Sequence, residues 1–404
     1  MRKLVVPVIA GLLALTGLYL LKKPPAAASE GVAPAVRNVI FINGDGMAAA
    51  HREAGRLFLA GPDGSLAMDR FLCTGQLTTS PADPASAVTD SAAGASAWAT
   101  GQRTYNGAIS VDTHGKALPT LGIEAKRAGR ATGLVTTSQV TDASPAAFFA
   151  NSTDRNAEDD IARQYLEVSQ PDVILGGGED WWLPAGRAGA HPDHPAADPT
   201  EASLGTEGDL IAAAGRAGYQ YVSTAGQLAA AGPGKLLGLF ANEEMFQQDG
   251  DVYEPPVSLA TMTQKALGTL STDPDGFFLF VEEEAIDEFA HANNGRRVLQ
   301  AMGELDRTVA VAQSFAAAHP GTLVIVTGDH ETGGLAVEDP AGNPGEDGPF
   351  PVKGTKLTFV MEWTTTGHTA QDVPVSAYGP LADRFTGKHP NTYVHEVLAP
   401  LLAP

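Results

Sequence analysis

Short runs of wholly apolar residues constrain the fold of this chain most strongly. Residues 277–281 read Phe-Phe-Leu-Phe-Val, and residues 323–327 read Leu-Val-Ile-Val-Thr. Shorter or less uniform runs lie at 38–42, 132–136 and 173–175. A strand that is apolar on both faces needs cover on both faces, which is typical of parallel sheets flanked by helices. These runs therefore predict buried strands of an α/β fold.

Helical patterns separate these strands along the chain. They span residues 158–167, 258–269 and 297–318. Alternating strands and helices favour parallel pairing with helical crossovers. We therefore predict an α/β fold in which helices and a large, mostly parallel central sheet form a three-layer α/β/α sandwich. We expect a single domain over 31–404, with surface insertions near 191–205 and 338–351, where Pro, Gly, Ala and acidic residues concentrate.

The first 30 residues are typical of a targeting segment. Met1-Arg2-Lys3 is basic, residues 4–21 are almost wholly apolar, and an Ala tract follows at 26–28. This pattern predicts a cleaved signal peptide, or an uncleaved signal anchor because the apolar run is long enough to span a bilayer. Either alternative predicts an extracytoplasmic location, as a periplasmic, secreted or outward-facing anchored protein. Cys73 is the only cysteine, which excludes an intrachain disulfide.

The charge balance limits the classes of partner. The formal net charge is −21, which argues against a nucleic-acid partner. It also argues against long-range attraction of an anionic substrate. Any phosphate-binding site in this chain would need local positive charge from arginine or from metal ions.

The segment 88–101 places a serine at the start of a small-residue helix. Ser91 follows Asp90 and precedes a run of Ala, Gly and Ser residues. The N-terminus of a helix suits a phosphate or a developing anion, so Ser91 is a candidate nucleophile. The alternative is that Asp90 or Ser91 is an ordinary N-cap of a buried helix. The segment by itself leaves both interpretations open.

Potential metal ligands follow three of the predicted strands. Asp45 lies between two glycines after the first strand, although a simple Asx turn is the alternative there. Three glutamates follow 277–281, and Asp287 and His291 are four residues apart, on one face of a helix. Carboxylates after a buried strand are costly unless they are neutralised, which favours a metal site. Asp329-His330 follows the strand at 323–327.

Further candidates lie in turns. His368 stands on a Gly-containing turn, where a structural role is the alternative. Arg155 can bind a phosphate through two parallel N–H groups, or form a surface salt bridge with Glu158 or Asp159. The remaining seven histidines lack such a context and are expected in loops or on the surface.

In this order, the six motifs around these residues resemble the alkaline phosphatase family from about Asn38 to the C-terminus. The resemblance implies a phosphoric monoester hydrolase that forms a phosphoserine intermediate. It also implies small phosphorylated substrates, two Zn2+ and one Mg2+ per active site (with other divalent ions as substitutes), and a homodimer.

The resemblance assigns a role to each candidate. Ser91 resembles the nucleophile and Arg155 the phosphate-binding arginine. Asp142 resembles a residue that acts near the magnesium through water. The implied metal ligands are Asp287, His291 and His368 for one zinc; Asp45, Asp329, His330 and Ser91 for the other; and Asp45, Ser144 and Glu282 for magnesium.

Two departures from the family pattern affect the expected activity. Glu288 stands where several relatives carry a basic or aromatic residue near the phosphate. Glu283 and Glu284 replace small residues and add negative charge. We therefore expect tighter cation retention and a higher KM for phosphomonoesters than in a lysine-bearing relative.

Two other functions compete with a phosphomonoesterase. One is a phosphodiesterase or sulfatase of the same superfamily, and the other is a non-catalytic metal- or phosphate-binding protein. Thr89-Asp90-Ser91 favours the monoesterase, since relatives of the second kind often carry threonine or a modified cysteine as nucleophile.

Overall fold

A ten-stranded sheet forms the centre of the protein. The computed structural model describes residues 35–192, 203–247, 250, 252–340 and 347–402. In spatial order the sheet consists of β15 (Gly387–Pro390), β2 (Cys73–Thr78), β14 (Val373–Tyr378), β8 (Thr322–Thr327), β1 (Asn38–Gly44), β7 (Phe277–Glu283), β3 (Ala131–Gln139), β4 (Val173–Gly177), β6 (Leu236–Leu239) and β5 (Gln220–Val222). Every neighbouring pair is parallel except the two pairs made by β14. The predicted mostly parallel sheet is confirmed.

Two small antiparallel sheets accompany the large one. The first joins β10 (Ala336–Glu338), β12 (Thr358–Glu362) and β11 (Asp347–Pro351). The second joins β9 (Glu331–Thr332) to β13 (His368–Thr369), with His368 opposite Thr332. The second pairing brings a late segment of the chain back beside the end of β8.

Helices cover both faces of the large sheet. The α-helices are α1 (Ala49–Leu59), α2 (Ser91–Thr100), α3 (Leu121–Arg127), α4 (Ala143–Phe149), α5 (Glu158–Gln164), α6 (Leu210–Arg216), α7 (Ala225–Ala230), α8 (Leu259–Leu270), α9 (Ala285–His291), α10 (Gly295–Ala318) and α11 (Tyr393–Leu402). Short 3-10 segments span Met68–Arg70, Glu179–Trp182 and Ala382–Phe385. No described helix is long and apolar enough to cross a membrane.

The alternation of side chains explains why the central strands are wholly apolar. On β1, Val39 and Phe41 pack into one core cluster, and Ile40 and Ile42 pack into the other. The first cluster includes residues of α2, α4 and α11, and the second includes residues of α8, α9 and α10. Because successive side chains of a strand point to opposite faces, both sets need apolar cover. The three-layer arrangement is confirmed.

The structure differs from the predictions in three places. The helix predicted at 158–167 is α-helical only to Gln164, and one π-helical turn follows at Tyr165–Ser169. The predicted insertion at 338–351 is partly strand, because Phe350 of β11 is buried and pairs with Phe359. His51, expected in a loop or on the surface, is fully buried in α1.

Other predictions fall outside the described residues. They concern the targeting segment at 1–30 and most of the insertion near 191–205. The described residues belong to the compact unit Pro34–Pro404.

The order of the central strands determines where a site can form. β8, β1, β7 and β3 are neighbours and run parallel, so their carboxyl ends meet at one edge of the sheet. Crevices at this edge are the usual ligand sites of open α/β sheets. Asp45, Glu282 and Asp329 all lie at or just beyond these strand ends.

Candidate active site

Ser91 is the first residue of α2, and Asp90 caps this helix. The Asp90 carboxylate accepts hydrogen bonds from the backbone N–H groups of Ala93 (2.9 Å) and Gly107 (2.7 Å). The cap leaves the Ser91 hydroxyl directed into the site, where Oγ lies 3.2 Å from Nε2 of His330. A Cβ at Gly94 would lie 3.3 Å from Cβ of Asp329, so the small residues allow α2 to approach the strand end closely. The capping and functional interpretations are therefore compatible.

One candidate metal group consists of Asp287, His291 and His368. Helix α9 places His291 one turn after Asp287, with Nε2 3.1 Å from Oδ2 of the carboxylate. Nε2 of His368 lies 3.6 Å from Oδ1 of Asp287. The three ligand atoms lie within 4.8 Å of one another.

Hydrogen bonds orient the two histidines of this group. Nδ1 of His291 lies 2.5 Å from the carbonyl oxygen of Thr366, and Nδ1 of His368 lies 2.9 Å from that of Thr89. A carbonyl accepts only from a protonated Nδ1, which leaves a neutral imidazole with its lone pair on Nε2. The two Nε2 atoms are 3.0 Å apart, so this arrangement fits a shared cation with nitrogen and oxygen ligands.

A second group consists of Asp45, Asp329 and His330. Nε2 of His330 lies 3.0 Å from Oδ2 of Asp329 and 3.4 Å from Oδ1 of Asp45. All three side chains are buried. Among the described residues, Oδ1 of Asp45 has no hydrogen-bond partner. A buried carboxylate oxygen without a partner is costly, which makes this group fit a cation as well.

A third group is built from oxygen ligands. Oδ2 of Asp45 accepts a hydrogen bond from Ser144 Oγ at 3.3 Å. Asn43 Nδ2 (3.2 Å) and Thr136 Oγ1 (2.7 Å) hold the Glu282 carboxylate. The carboxylates of Asp45, Glu282 and Glu284 present ligand atoms within 4.8 Å of one another. An all-oxygen set of this kind fits Mg2+ or Ca2+.

Without cations, Glu282 and His291 hold protons near neutral pH. Burial, with added repulsion from Asp142, raises the pKa of Glu282 to about 8. The hydrogen bond to Asp287 raises the pKa of His291 to about 9. Cation binding must displace such protons, so cation affinity should fall as the pH falls.

Arg155 contacts carboxylates of the site. It does not form an exposed ion pair with the acidic residues at the start of α5. Its guanidinium donates to Oδ1 of Asp142 (2.8 Å) and lies 3.6 Å from Oδ2 of Asp90. Burial lowers the pKa of Arg155, but Asp142 and Asp90 outweigh burial and hold the pKa above its usual value. In the described chain, neither Glu158 nor Asp159 forms the predicted salt bridge. Glu158 accepts a hydrogen bond from the Thr141 hydroxyl, and Asp159 accepts one from the Thr206 hydroxyl.

The three consecutive glutamates point in different directions. Glu283 Oε1 accepts from Tyr253 OH (2.6 Å) and Thr137 Oγ1 (3.1 Å), away from the candidate metal groups. Glu284 belongs to the third group and also to a fourth one with Asp287 and Glu288. The expectation of added charge near the metals therefore applies to Glu284, which the sequence had not distinguished from Glu283.

Sequence reasoning gave no role to Thr332, which connects the groups, whereas it expected close approach at Gly46. Thr332 Oγ1 donates to Oδ1 of Asp287 and lies 3.2 Å from Nδ1 of His330. Gly46 has φ +67°, and a Cβ there would lie 2.7 Å from both Oδ1 of Asp287 and Oγ1 of Thr332. The one sequence signal for Thr332 was its position two residues after the candidate ligand His330.

Comparisons with known proteins match this geometry to one family. The family model described as alkaline phosphatase matches residues 36–357. Alkaline phosphatase 3 of Bacillus subtilis is 31% identical, over 92% of this chain and 90% of its own length. The streptomycin-6-phosphate phosphatase of Streptomyces griseus is 37% identical, over 93% of each. The solved structure of a TAB5 alkaline phosphatase variant, with Mg bound in a site termed M3, has a TM-score of 0.74 and 27% identity, covering 92% of this chain and 99% of its own.

Proposed function

Since the chain belongs to the alkaline phosphatase family, it is a phosphatase, and we propose that it hydrolyses phosphate monoesters through a phosphoserine on Ser91. The observation that carries the proposal is the position of the Ser91 hydroxyl, which lies at the N-terminus of α2 and 3.2 Å from His330. An exposed fraction of 6% keeps this hydroxyl sheltered from bulk water.

The three groups of side chains described above would hold the cations. We propose zinc for the two groups that contain histidine, and Mg2+ or another divalent ion in its place for the oxygen-only group with Asp45, Ser144 and Glu282. Bound cations would lower the pKa of the Ser91 hydroxyl and of a water, and would neutralise charge on the phosphate. Magnesium is bound in the related TAB5 structure, which supports a metal-dependent mechanism.

The reaction consists of two displacements at phosphorus. In the first, Ser91 Oγ loses its proton and bonds to phosphorus while the ester P–O bond breaks, and the alcohol leaves after gaining a proton. In the second, a water oxygen bonds to phosphorus while the bond to Ser91 Oγ breaks and returns the serine. Two inversions give net retention at phosphorus. Asp90 is a poor candidate for the base of Ser91, because its carboxylate is engaged as the helix cap; a bound cation would lower the pKa of the serine hydroxyl instead.

Arg155 would bind the non-reacting phosphate oxygens. Its guanidinium is held by Asp142 and Asp90, and a planar fork of N–H donors matches two phosphate oxygens. The backbone N–H groups at the start of α2 add donors on the serine side. Together they stabilise charge where it accumulates during transfer.

A panel of three substrates tests the proposed function. We expect turnover of p-nitrophenyl phosphate to exceed that of bis-p-nitrophenyl phosphate and p-nitrophenyl sulfate by at least about 100-fold in kcat/KM, which corresponds to about 3 kcal/mol. A preference for the diester or the sulfate would replace the monoesterase with the other superfamily activities. Absence of turnover with all three, in a metal-loaded protein, would favour a binding protein.

Glu288 is expected to weaken the binding of anionic substrates. It is half-buried and its carboxylate lies in a group with Glu284 and Asp287, beside the proposed zinc ligands. Replacing it by lysine should remove repulsion and lower the KM for p-nitrophenyl phosphate about 3- to 10-fold, as for a close charge pair near the surface. Steady-state kinetics at low ionic strength measures this effect.

Asp63→Lys is the matched control for this variant. Asp63 is exposed in the loop after α1, and its replacement changes the net charge by the same amount. The KM should be unchanged in the control. An unchanged or higher KM in Glu288→Lys would contradict a repulsive role for Glu288.

The location and assembly of the protein remain proposals. The basic and apolar residues at 1–21 support an extracytoplasmic location. A homodimer is supported by analogy with the family alone.

A further inference from the structure

We propose that Glu284 is a direct ligand of the third cation, and that this added carboxylate makes the site favour Ca2+ over Mg2+. The inference rests on the proposed function, since it concerns a cation beside the proposed nucleophile. It adds a residue to which the resemblance assigns no metal role.

The end of β7 explains why Glu284 reaches the site. Strand β7 ends at Glu283, and Glu284 already has helical backbone angles (φ −74°, ψ −36°) as the residue before α9. The backbone N–H of Glu284 donates to Thr137 Oγ1 at 3.0 Å, which holds the turn that follows the strand. The turn into α9 thus brings Glu284 beside Asp45 and Glu282, whereas the Glu283 carboxylate contacts Tyr253.

The Glu284 carboxylate is buried without any protein partner that would account for it. Glu284 is 5% exposed, and within the described ranges no hydrogen bond or ion pair involves its side chain. Its carboxylate lies within 4.8 Å of the ligand atoms of Asp45 and Glu282. Three carboxylates so close together repel one another unless a cation neutralises them.

The third group is a better position for this ligand than the fourth one, with Asp287 and Glu288. The oxygens of Asp287 are already engaged, Oδ1 by the Thr332 hydroxyl and Oδ2 by His291 at 3.1 Å. In the third group, Ser144 adds a hydroxyl oxygen beside Asp45. Glu284 therefore completes a set of three carboxylates and one hydroxyl.

The number of oxygen ligands determines the preferred cation. Mg2+ holds strict octahedral geometry, keeps several waters and usually binds one or two carboxylates, whereas Ca2+ accepts six to eight oxygen ligands. A third carboxylate would take the place of a water that Mg2+ normally keeps. For Ca2+, the same carboxylate is one more of the six to eight oxygen ligands that this ion accepts. The structure thus assigns this chain a third site that suits the larger ion.

Cation affinity, rather than activity, tests the proposal. Zinc-loaded protein is dialysed against graded Ca2+ or Mg2+, and the bound ion is measured by mass spectrometry. We expect the wild type to bind Ca2+ more tightly than Mg2+. Glu284→Gln should weaken Ca2+ binding at least about 10-fold and reduce or reverse the preference for Ca2+.

Glu283→Gln is the matched control, because it removes one buried carboxylate from the adjacent position. Unchanged affinity in Glu284→Gln, or equal losses in both variants, would overturn the proposal, as would a Ca2+/Mg2+ ratio that does not change in Glu284→Gln. Glu284→Asp, which keeps the charge but shortens the reach, should give an intermediate loss and serves if the glutamine variant does not fold. Turnover of p-nitrophenyl phosphate is measured separately. If the proposed function fails, the cation affinities still test the role of Glu284.

Discussion

Replacing Ser91 by alanine should abolish the hydrolysis of phosphate monoesters while leaving the fold and the bound metals in place. The serine hydroxyl is the only group of α2 that the structure directs at His330, and it carries the covalent step of the proposed reaction. Loss of a nucleophile typically costs at least about 1,000-fold in kcat. Steady-state turnover of p-nitrophenyl phosphate, together with metal analysis of the same sample, measures both parts of the expectation.

Ser86→Ala is the control for this experiment. Ser86 lies five residues before Ser91, and its hydroxyl bonds only to the backbone of Val88. Its activity should remain close to that of the wild type. If Ser91→Ala retained more than a few per cent of the activity with metals bound, the phosphoserine mechanism would be refuted.

Removal of the metal ions should have the second largest effect, on activity and on stability together. The candidate groups place Asp45, Asp329 and Glu282 in the interior, where charged carboxylates need a cation or a proton. Treatment with EDTA should therefore abolish turnover, and Zn2+ with Mg2+ or Ca2+ should restore it. The melting temperature should fall on chelation, because a cation present at 1,000 times its Kd contributes about 4 kcal/mol to folding.

Ser91→Ala is also the control for chelation. This variant is expected to be inactive, but EDTA should lower its melting temperature as it does for the wild type. Activity that resists EDTA, in protein shown to be metal-free, would be incompatible with the proposed mechanism. A melting temperature that does not depend on metals would contradict the interpretation of the buried carboxylates.

The sheet and the strand ends could be predicted from the sequence because they follow from local patterns. Apolar runs such as 277–281 require burial on both faces, and acids placed directly after them lie at the carboxyl edge. The pairing of β1 with both β7 and β8 then brings Asp45 between the other two strand ends. Family resemblance added the roles of residues that lie far apart in the chain, such as His368.

Other parts of the site depend on tertiary contacts that no local pattern encodes. Thr332 contacts Asp287, which lies 45 residues earlier in the chain, and its backbone N–H donates to the Gly46 carbonyl at 3.2 Å, so its place in the site depends on contacts between distant segments. Glu283 and Glu284 differ because β7 ends between them and the chain turns into α9, and a run of charges carries no sequence signal for where the strand stops. The burial of His51 reflects tertiary contacts, such as the Trp363 ring beside it, and not the composition of its own segment.

The position of β1 between β7 and β8 also determines the order in which the sheet and the site can form during synthesis. During synthesis β1 emerges early, whereas both of its neighbours lie in the last third of the chain. Until they arrive, an apolar strand has two unpaired edges and is prone to association with other chains. A complete set of ligands, from Asp45 to His368, exists only after this central strand is enclosed. The two groups that contain histidine need His330 or His368, so they are completed after the oxygen-only group that ends at Glu284.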